Sequence, residues 1–197
     1  MRSLLLLSGG VDSIAIASWL RPTISLTVNY GQRAVAAEIQ ASRQVCRELG
    51  LAHEVVDVDV AGMGSGRMAG DSQSPHSAHE EFWPFRNQFL LTVAGMAAMR
   101  HKCDTVLIGT VATDCRHVDG SPEFLATIGK LMQMQEGGIT LSAPASHMTS
   151  EELVRRSNVP SGILGWAHSC HSSSLACGRC PGCTKHSAIM QALGVPR

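Results

Sequence analysis

The first half of this 197-residue chain contains no lysine; the first is Lys102. That absence excludes a Walker A loop near the N terminus, which needs a lysine directly after its last glycine to reach the outer phosphates. Net charge is missing as well. Sixteen basic residues balance sixteen acidic ones, so the chain carries no electrostatic footprint for nucleic acid or an anionic membrane, and neither is expected as a direct partner. Long apolar runs are absent too. Leu4 to Leu7 is too short for a signal-peptide core and is flanked only by Arg2, and no later run would span a bilayer, so a cytoplasmic protein is expected. Finally, there is no even disulfide framework. Seven cysteines is an odd number, and four of them crowd toward the C terminus, which favours metal binding.

What is present reads as one α/β unit with 44% hydrophobic residues, enough for a sizeable core. Apolar and β-branched runs predict strands at Leu4 to Leu7, Thr23 to Val28, Glu54 to Val60, Asp104 to Gly109 and Ile139 to Ser142. Helix-forming stretches fall between them: Ile14 to Leu20, Ala34 to Leu49, Phe85 to Arg100, Ser121 through to Gly137-Gly138, and Thr149 to Arg156. This alternation predicts a Rossmann-like, doubly wound, parallel five-stranded sheet, with ligands beyond the carboxyl ends of the strands. Residues 1–165 would form the nucleotide-binding domain, and 166–197 a small cysteine-bearing segment packed on it. The stretch from Ala61 to Glu81 has no periodicity and reads as a structureless lid or a surface insertion; His76 and His79 lie in it.

Two constellations carry chemistry. Ser8-Gly9-Gly10-Val11-Asp12-Ser13 joins the first strand to the first helix. Glycines there let backbone approach a phosphate closely, the first-turn N–H groups have no intrahelical partner, and Ser8 and Ser13 add hydroxyl donors. The second is Cys170, Cys177, Cys180 and Cys183, whose two consecutive C-x-x-C steps suit a tetrahedral, structural Zn²⁺. A redox pair or an iron–sulfur cluster would use the same residue type, without explaining the glycine-rich knuckles better. Cys46, Cys103 and Cys115 read as buried small hydrophobes.

The Ser8 to Ser13 loop resembles the SGG-x-DS signature of the PP-loop ATP pyrophosphatases, which split ATP between its α- and β-phosphates. Together with the cysteines, Tyr30-Gly31-Gln32-Arg33, Arg86-Asn87-Gln88-Phe89-Leu90, Asp114 with Pro122-Glu123-Phe124, and Trp166 with Ser169-Cys170 resemble the QueC family, 7-cyano-7-deazaguanine synthases, over nearly the whole chain. The resemblance implies ATP-dependent adenylation of 7-carboxy-7-deazaguanine. Ammonia then displaces AMP to give an amide, and a second activation gives the nitrile. It implies nucleotide contacts from Leu7, Ser8, Gly9, Gly10, Val11, Asp12, Ser13, Tyr30, Gln32, Asn87, Gly109, Thr110 and Asp114, with Asp12 at Mg²⁺. Asp12, Ser13, Arg33, Arg86 and Lys130 are the implied catalytic residues, the three cations facing charge at the α-phosphate. A homodimer is implied by the same likeness.

The chain departs from the family pattern in three places. Ala34 follows Tyr-Gly-Gln-Arg where a basic or polar residue is common, Val118 to Phe124 lacks the family's cysteine and arginine, and Ser150 stands where a lysine is usual. These losses predict a cation-poor substrate end, weakened by about 1–3 kcal/mol per lost charged hydrogen bond. That would suit a variant reaction, known from QueC-like proteins of antiviral defence systems, in which the deazaguanine acyl group is joined to a partner-protein amine. tRNA-thiolating relatives fit poorly, because the chain is neutral and has no cysteine beside the loop. A non-catalytic nucleotide- or zinc-binding module is the alternative of another class. His117, His147 and His168 are unranked as bases.

Overall fold

A computed structural model of the protein describes residues 2–114 and 116–195, so Cys115 lies outside the described residues. In chain order the elements begin with β1 (Ser3–Leu6), α1 (Val11–Leu20), β2 (Ile24–Asn29), α2 (Val35–Leu49) and β3 (His53–Asp57). They continue with α3 (Gly66–Ala69), α4 (Arg86–Arg100), β4 (Thr105–Leu107), α5 (Pro122–Gln133) and β5 (Thr140–Ser142), then α6 (Ser150–Ser157), α7 (Ser161–Leu164) and α8 (Pro181–Ala192). The five strands form one parallel sheet in the order β3-β2-β1-β4-β5, with Leu4 beside Ile24 on one side and Val106 on the other.

Alternation along β1 shows how both faces are covered. Leu4 belongs to a core shared with Leu91 and Ala94 of α4 and Leu125 and Ile128 of α5. Its neighbour Leu5 points the other way, into a core with Ile14 and Ile16 of α1, Val45 of α2, Leu153 of α6 and Ile189 of α8. The sheet is therefore doubly wound, as expected. Among the described residues no helix is long and apolar enough to cross a membrane.

Two local expectations are corrected. The 61–81 stretch is not structureless: it holds a 3₁₀ turn at Ala61–Met63 and the single-turn α3, and buried Met68 anchors it in the core. Arg67 Nε donates to Glu80 Oε2 at 2.8 Å, and Gly66 N–H donates to the Ser72 carbonyl at 2.8 Å, which close the stretch on itself. Polar and glycine-rich composition hides such structure because the hydrogen bonds are irregular. The second correction is α8, a twelve-residue helix in the segment read only as a metal-bearing tail. Cys180 caps it and Pro181 occupies its first turn, so its start was written in the sequence.

Candidate active site

The sheet order reverses between β1 and β4, and chain segments leave that switch point in opposite directions. A cleft of about 800 Å³ opens there, walled by the Ser8 to Ser13 loop, the Gly109-Thr110 turn after β4 and residues from α2, α4 and α8. This volume lies in the range of small-molecule sites, about 300–1,000 Å³.

The loop is fixed from both sides. Gly9 adopts φ +74°, and a Cβ built on it would lie 2.8 Å from the Glu38 carbonyl oxygen. Its own carbonyl accepts from the His168 N–H at 2.8 Å, so the chain entering the cysteine cluster braces the turn. We expect Gly9→Ala to cost about 2 kcal/mol or more in urea unfolding, from the left-handed conformation and the clash together. The Ser13 hydroxyl donates to the Gly10 carbonyl at 3.0 Å and sits 3.3 Å from the Ser8 hydroxyl. No side chain caps Gly10, so the helix opens with free N–H groups directed at the cleft.

Asp12, in the first turn of α1, meets a partner that sequence reasoning missed. Lys185 Nζ from α8 donates to Asp12 Oδ2 at 2.9 Å and to Asp114 Oδ1 at 2.6 Å. Burial pushes the Asp12 carboxyl above the usual carboxylate range, against the pull of Lys185. Burial also opposes the charge on Lys185, but the two carboxylates outweigh it and hold the ammonium above the ordinary lysine value. Asp12 Oδ1 is buried without a close hydrogen bond, and the Ser150 hydroxyl pulls the carboxyl down alongside Lys185.

Arginines also line the cleft. Arg86 is half-buried at the start of α4, with Nη1 3.2 Å from the Met68 sulfur. Asp119 satisfies that helix end, accepting from the Asn87 N–H at 3.0 Å while its carbonyl accepts from Asn87 Nδ2 at 2.9 Å. Arg116 Nε donates at 2.7 Å to buried Glu81, whose other oxygen has no partner among the described residues. Arg179 completes the set. Lys185 and Arg116 are thus cations of the cleft that the sequence reading did not count, each paired with carboxylates.

Of the residues expected here, Leu7, Ser8, Gly10, Val11, Asp12, Ser13, Tyr30, Gln32, Arg86, Asn87, Gly109, Thr110 and Asp114 line the cleft. Gly9 lies behind the loop. Arg33 and Lys130 are not brought to it: both are exposed, Arg33 packing against Gly70 and Lys130 lying on α5. Of the histidines left unranked, His117 and His168 line the cleft and His147 does not.

Glu38 adds a half-buried acid to the wall. Gln32 Nε2 donates to its Oε2 at 2.8 Å. Burial nevertheless pushes the carboxyl up to about 7, against that bond and the Arg86 charge. In the unfolded chain a glutamate ionises near 4.3. Between roughly pH 4.5 and 7 the folded state therefore holds a proton that the unfolded state has lost, so this group makes stability fall as pH rises through that window. Glu38→Gln keeps an acceptor for Gln32 and removes the effect. Urea unfolding should find the variant about 2–4 kcal/mol more stable than wild type at pH 8 and equal at pH 4.

The four cysteine sulfurs of Cys170, Cys177, Cys180 and Cys183 lie within 4.8 Å of one another, with Cys177 to Cys183 at 3.9 Å and Cys170 to Cys180 at 4.0 Å. A tetrahedron with metal–sulfur bonds of about 2.3 Å has edges of about 3.8 Å, so the set fits a tetrahedral ion. Backbone N–H groups at Arg179 and Cys180 bring the Cys177 thiol down to about 6, while burial pushes Cys183 up to about 12. Four thiolates this close need a cation to ionise together. Gly182 is required in the knuckle, because a Cβ there would fall 1.9 Å from the Ser169 carbonyl oxygen.

A family model described as queuosine biosynthesis protein QueC matches residues 2–193. A curated protein of Methanosarcina mazei named 7-cyano-7-deazaguanine synthase is 24% identical over 221 residues, covering 99% of this chain and 96% of its own length. One of the same name from Myxococcus xanthus is 30% identical over 222 residues, covering 99% and 95%. Among solved structures, NMN synthetase from Francisella tularensis aligns with a TM-score of 0.52 at 16% identity, covering 100% of this chain and 78% of that one, a likeness of fold alone.

Proposed function

The chain belongs to the QueC family of queuosine-biosynthesis proteins, and from that premise we propose that it is an AMP-forming C–N ligase acting on 7-carboxy-7-deazaguanine. The observation that carries this reading is the uncapped start of α1 opening, through the Ser8 to Ser13 loop, into a cleft large enough for a nucleotide and a second small molecule. In the reaction, the substrate carboxylate oxygen attacks the α-phosphorus of ATP and the bond to the bridging oxygen of pyrophosphate breaks. Ammonia then attacks the acyl carbon, AMP departs, and a proton is lost to leave the amide. A second ATP adenylates the amide oxygen with release of pyrophosphate, and loss of the two N–H protons with departure of AMP gives the nitrile.

The chain's own groups divide this work. The N–H groups at the start of α1 and the Ser8 and Ser13 hydroxyls hold the departing pyrophosphate. Arg86 and Arg116, which also line the cleft, seat the acid and offset charge developing on the oxygens around the α-phosphorus. Glu81, buried beneath Arg116, fixes the direction of that guanidinium. Asp12 and Asp114 would hold Mg²⁺, whose contribution there is to neutralise phosphate charge. Zn²⁺ held by the four cysteines would have no open position and would supply folding energy. Ammonia, already nucleophilic, needs only a proton acceptor after attack.

The test is the product. With ATP, Mg²⁺, the acid and ¹⁵N-ammonia, mass spectrometry should find the label in 7-cyano-7-deazaguanine or its amide. Label in neither product, with the acyl group appearing on an added protein amine, would replace ammonia by a protein acceptor.

A further inference from the structure

We propose that Lys185 is a catalytic residue that changes partners: its ammonium, bridging Asp12 and Asp114, holds the place of a divalent cation, and on entry of metal and nucleotide it moves onto phosphate. The phosphate half of this inference rests on the ATP-dependent reading above; the cation half does not.

The geometry supplies the first step. Two carboxylates from different elements, Asp12 on α1 and Asp114 after β4, converge on one Nζ at 2.9 and 2.6 Å. Two negative charges and one positive leave the cluster short of one charge, a deficit that a divalent ion removes. Nζ occupies the space between Asp12 Oδ2 and Asp114 Oδ1, so a divalent ion drawn to the same two oxygens, at the shorter distances a hard cation requires, takes its place. Metal entry therefore evicts the ammonium.

Where the ammonium goes is set by its tether. Lys185 sits on the second turn of α8, a helix whose first turn is fixed by Cys180, with the Cys183 N–H 3.4 Å from the Cys180 sulfur. The helix stays in place while the four-carbon stem, with the side chain about one-third exposed, can swing. Its reach covers the α1 N-terminal loop that it already touches through Asp12, and the anion there is the nucleotide phosphate. The same contact keeps two neighbouring carboxylates from repelling each other.

The experiment titrates Mn²⁺ into the zinc-loaded protein without nucleotide, by electron paramagnetic resonance, for wild type, Lys185→Met and Lys185→Arg. If Lys185 competes with the ion, Lys185→Met binds Mn²⁺ at least tenfold more tightly than wild type, whereas Lys185→Arg, which keeps the charge, stays within threefold. With ATP and Mg²⁺, the same Met variant should lose AMP formation a hundredfold or more. Equal or weaker Mn²⁺ affinity in a Met variant with wild-type circular dichroism overturns the proposal, as does undiminished AMP formation. If the Met variant does not fold, Lys185→Gln gives the same readings. A wild-type protein that forms no AMP with the acid contradicts the proposed function, while the Mn²⁺ comparison still decides whether Lys185 occupies a cation position.

Discussion

Replacing Asp12 by alanine should lower AMP formation by about 10²–10³-fold while leaving the sheet intact, measured as acid-dependent AMP release at saturating ATP. The reasoning is electrostatic. Asp12 stands in the first turn of α1, beside the N–H groups proposed to hold the departing pyrophosphate, and it is the more buried of the two carboxylates that meet Lys185. Its removal takes away a ligand for the cation that offsets phosphate charge, and it leaves Lys185 held by Asp114 alone. Loss of one preorganised charge-stabilising group costs about 2.7–4 kcal/mol at a transition state, which is the rate factor expected. Stability should change in the opposite sense or not at all, because burial penalises this carboxylate in the folded state. Far-UV circular dichroism and urea unfolding check that part. Asp12→Asn, which preserves size without charge, should lose nearly as much activity.

Removing the metal from the cysteine cluster is the second large perturbation. Structural Zn²⁺ in small domains contributes about 10–16 kcal/mol of apparent binding energy to folding. Here the loss is shared, because Ile189 and Met190 of α8 remain in the core that also holds Leu5 and Leu7. The expected outcome of Cys180→Ser is therefore partial: near-stoichiometric zinc in wild type by elemental analysis, little in the variant, and a lowered melting temperature with the sheet retained. Hydrogen exchange should quicken across 166–192 and in the Ser8 to Ser13 loop, which the His168 N–H braces through the Gly9 carbonyl. AMP formation should fall by about 10²-fold as Lys185 loses its position. A metal-free protein that is fully folded, protected and active would remove the cluster from this account.

The parts legible in the sequence are those that local pattern determines. Leu4 to Leu7 followed by Ser-Gly-Gly placed the phosphate loop at a strand end, and β-branched runs placed all five strands to within a few residues. The cysteine spacing alone brought four sulfurs together. What escaped depends on distant chain. Lys185 reaches Asp12 across 173 positions, and only the angle at which α8 leaves the knuckle aims it there. Arg116 lies in an irregular loop whose direction is set by Glu81, 35 positions earlier. Lys130 and Arg33 failed for the same reason in reverse: a helix or turn places residues on every side, and spacing does not say which side faces the cleft. Counting cations at particular positions thus missed two that line the cleft from other elements, each paired with carboxylates.

The most direct measurement of the central claim is a single assay of the zinc-loaded protein with ATP, Mg²⁺ and 7-carboxy-7-deazaguanine, quantifying AMP and pyrophosphate together. The account predicts their release in equal amounts, dependent on the acid and lost in Asp12→Ala. Measurable ATP binding with no acid-dependent AMP, or AMP release that persists undiminished without Asp12, would contradict it.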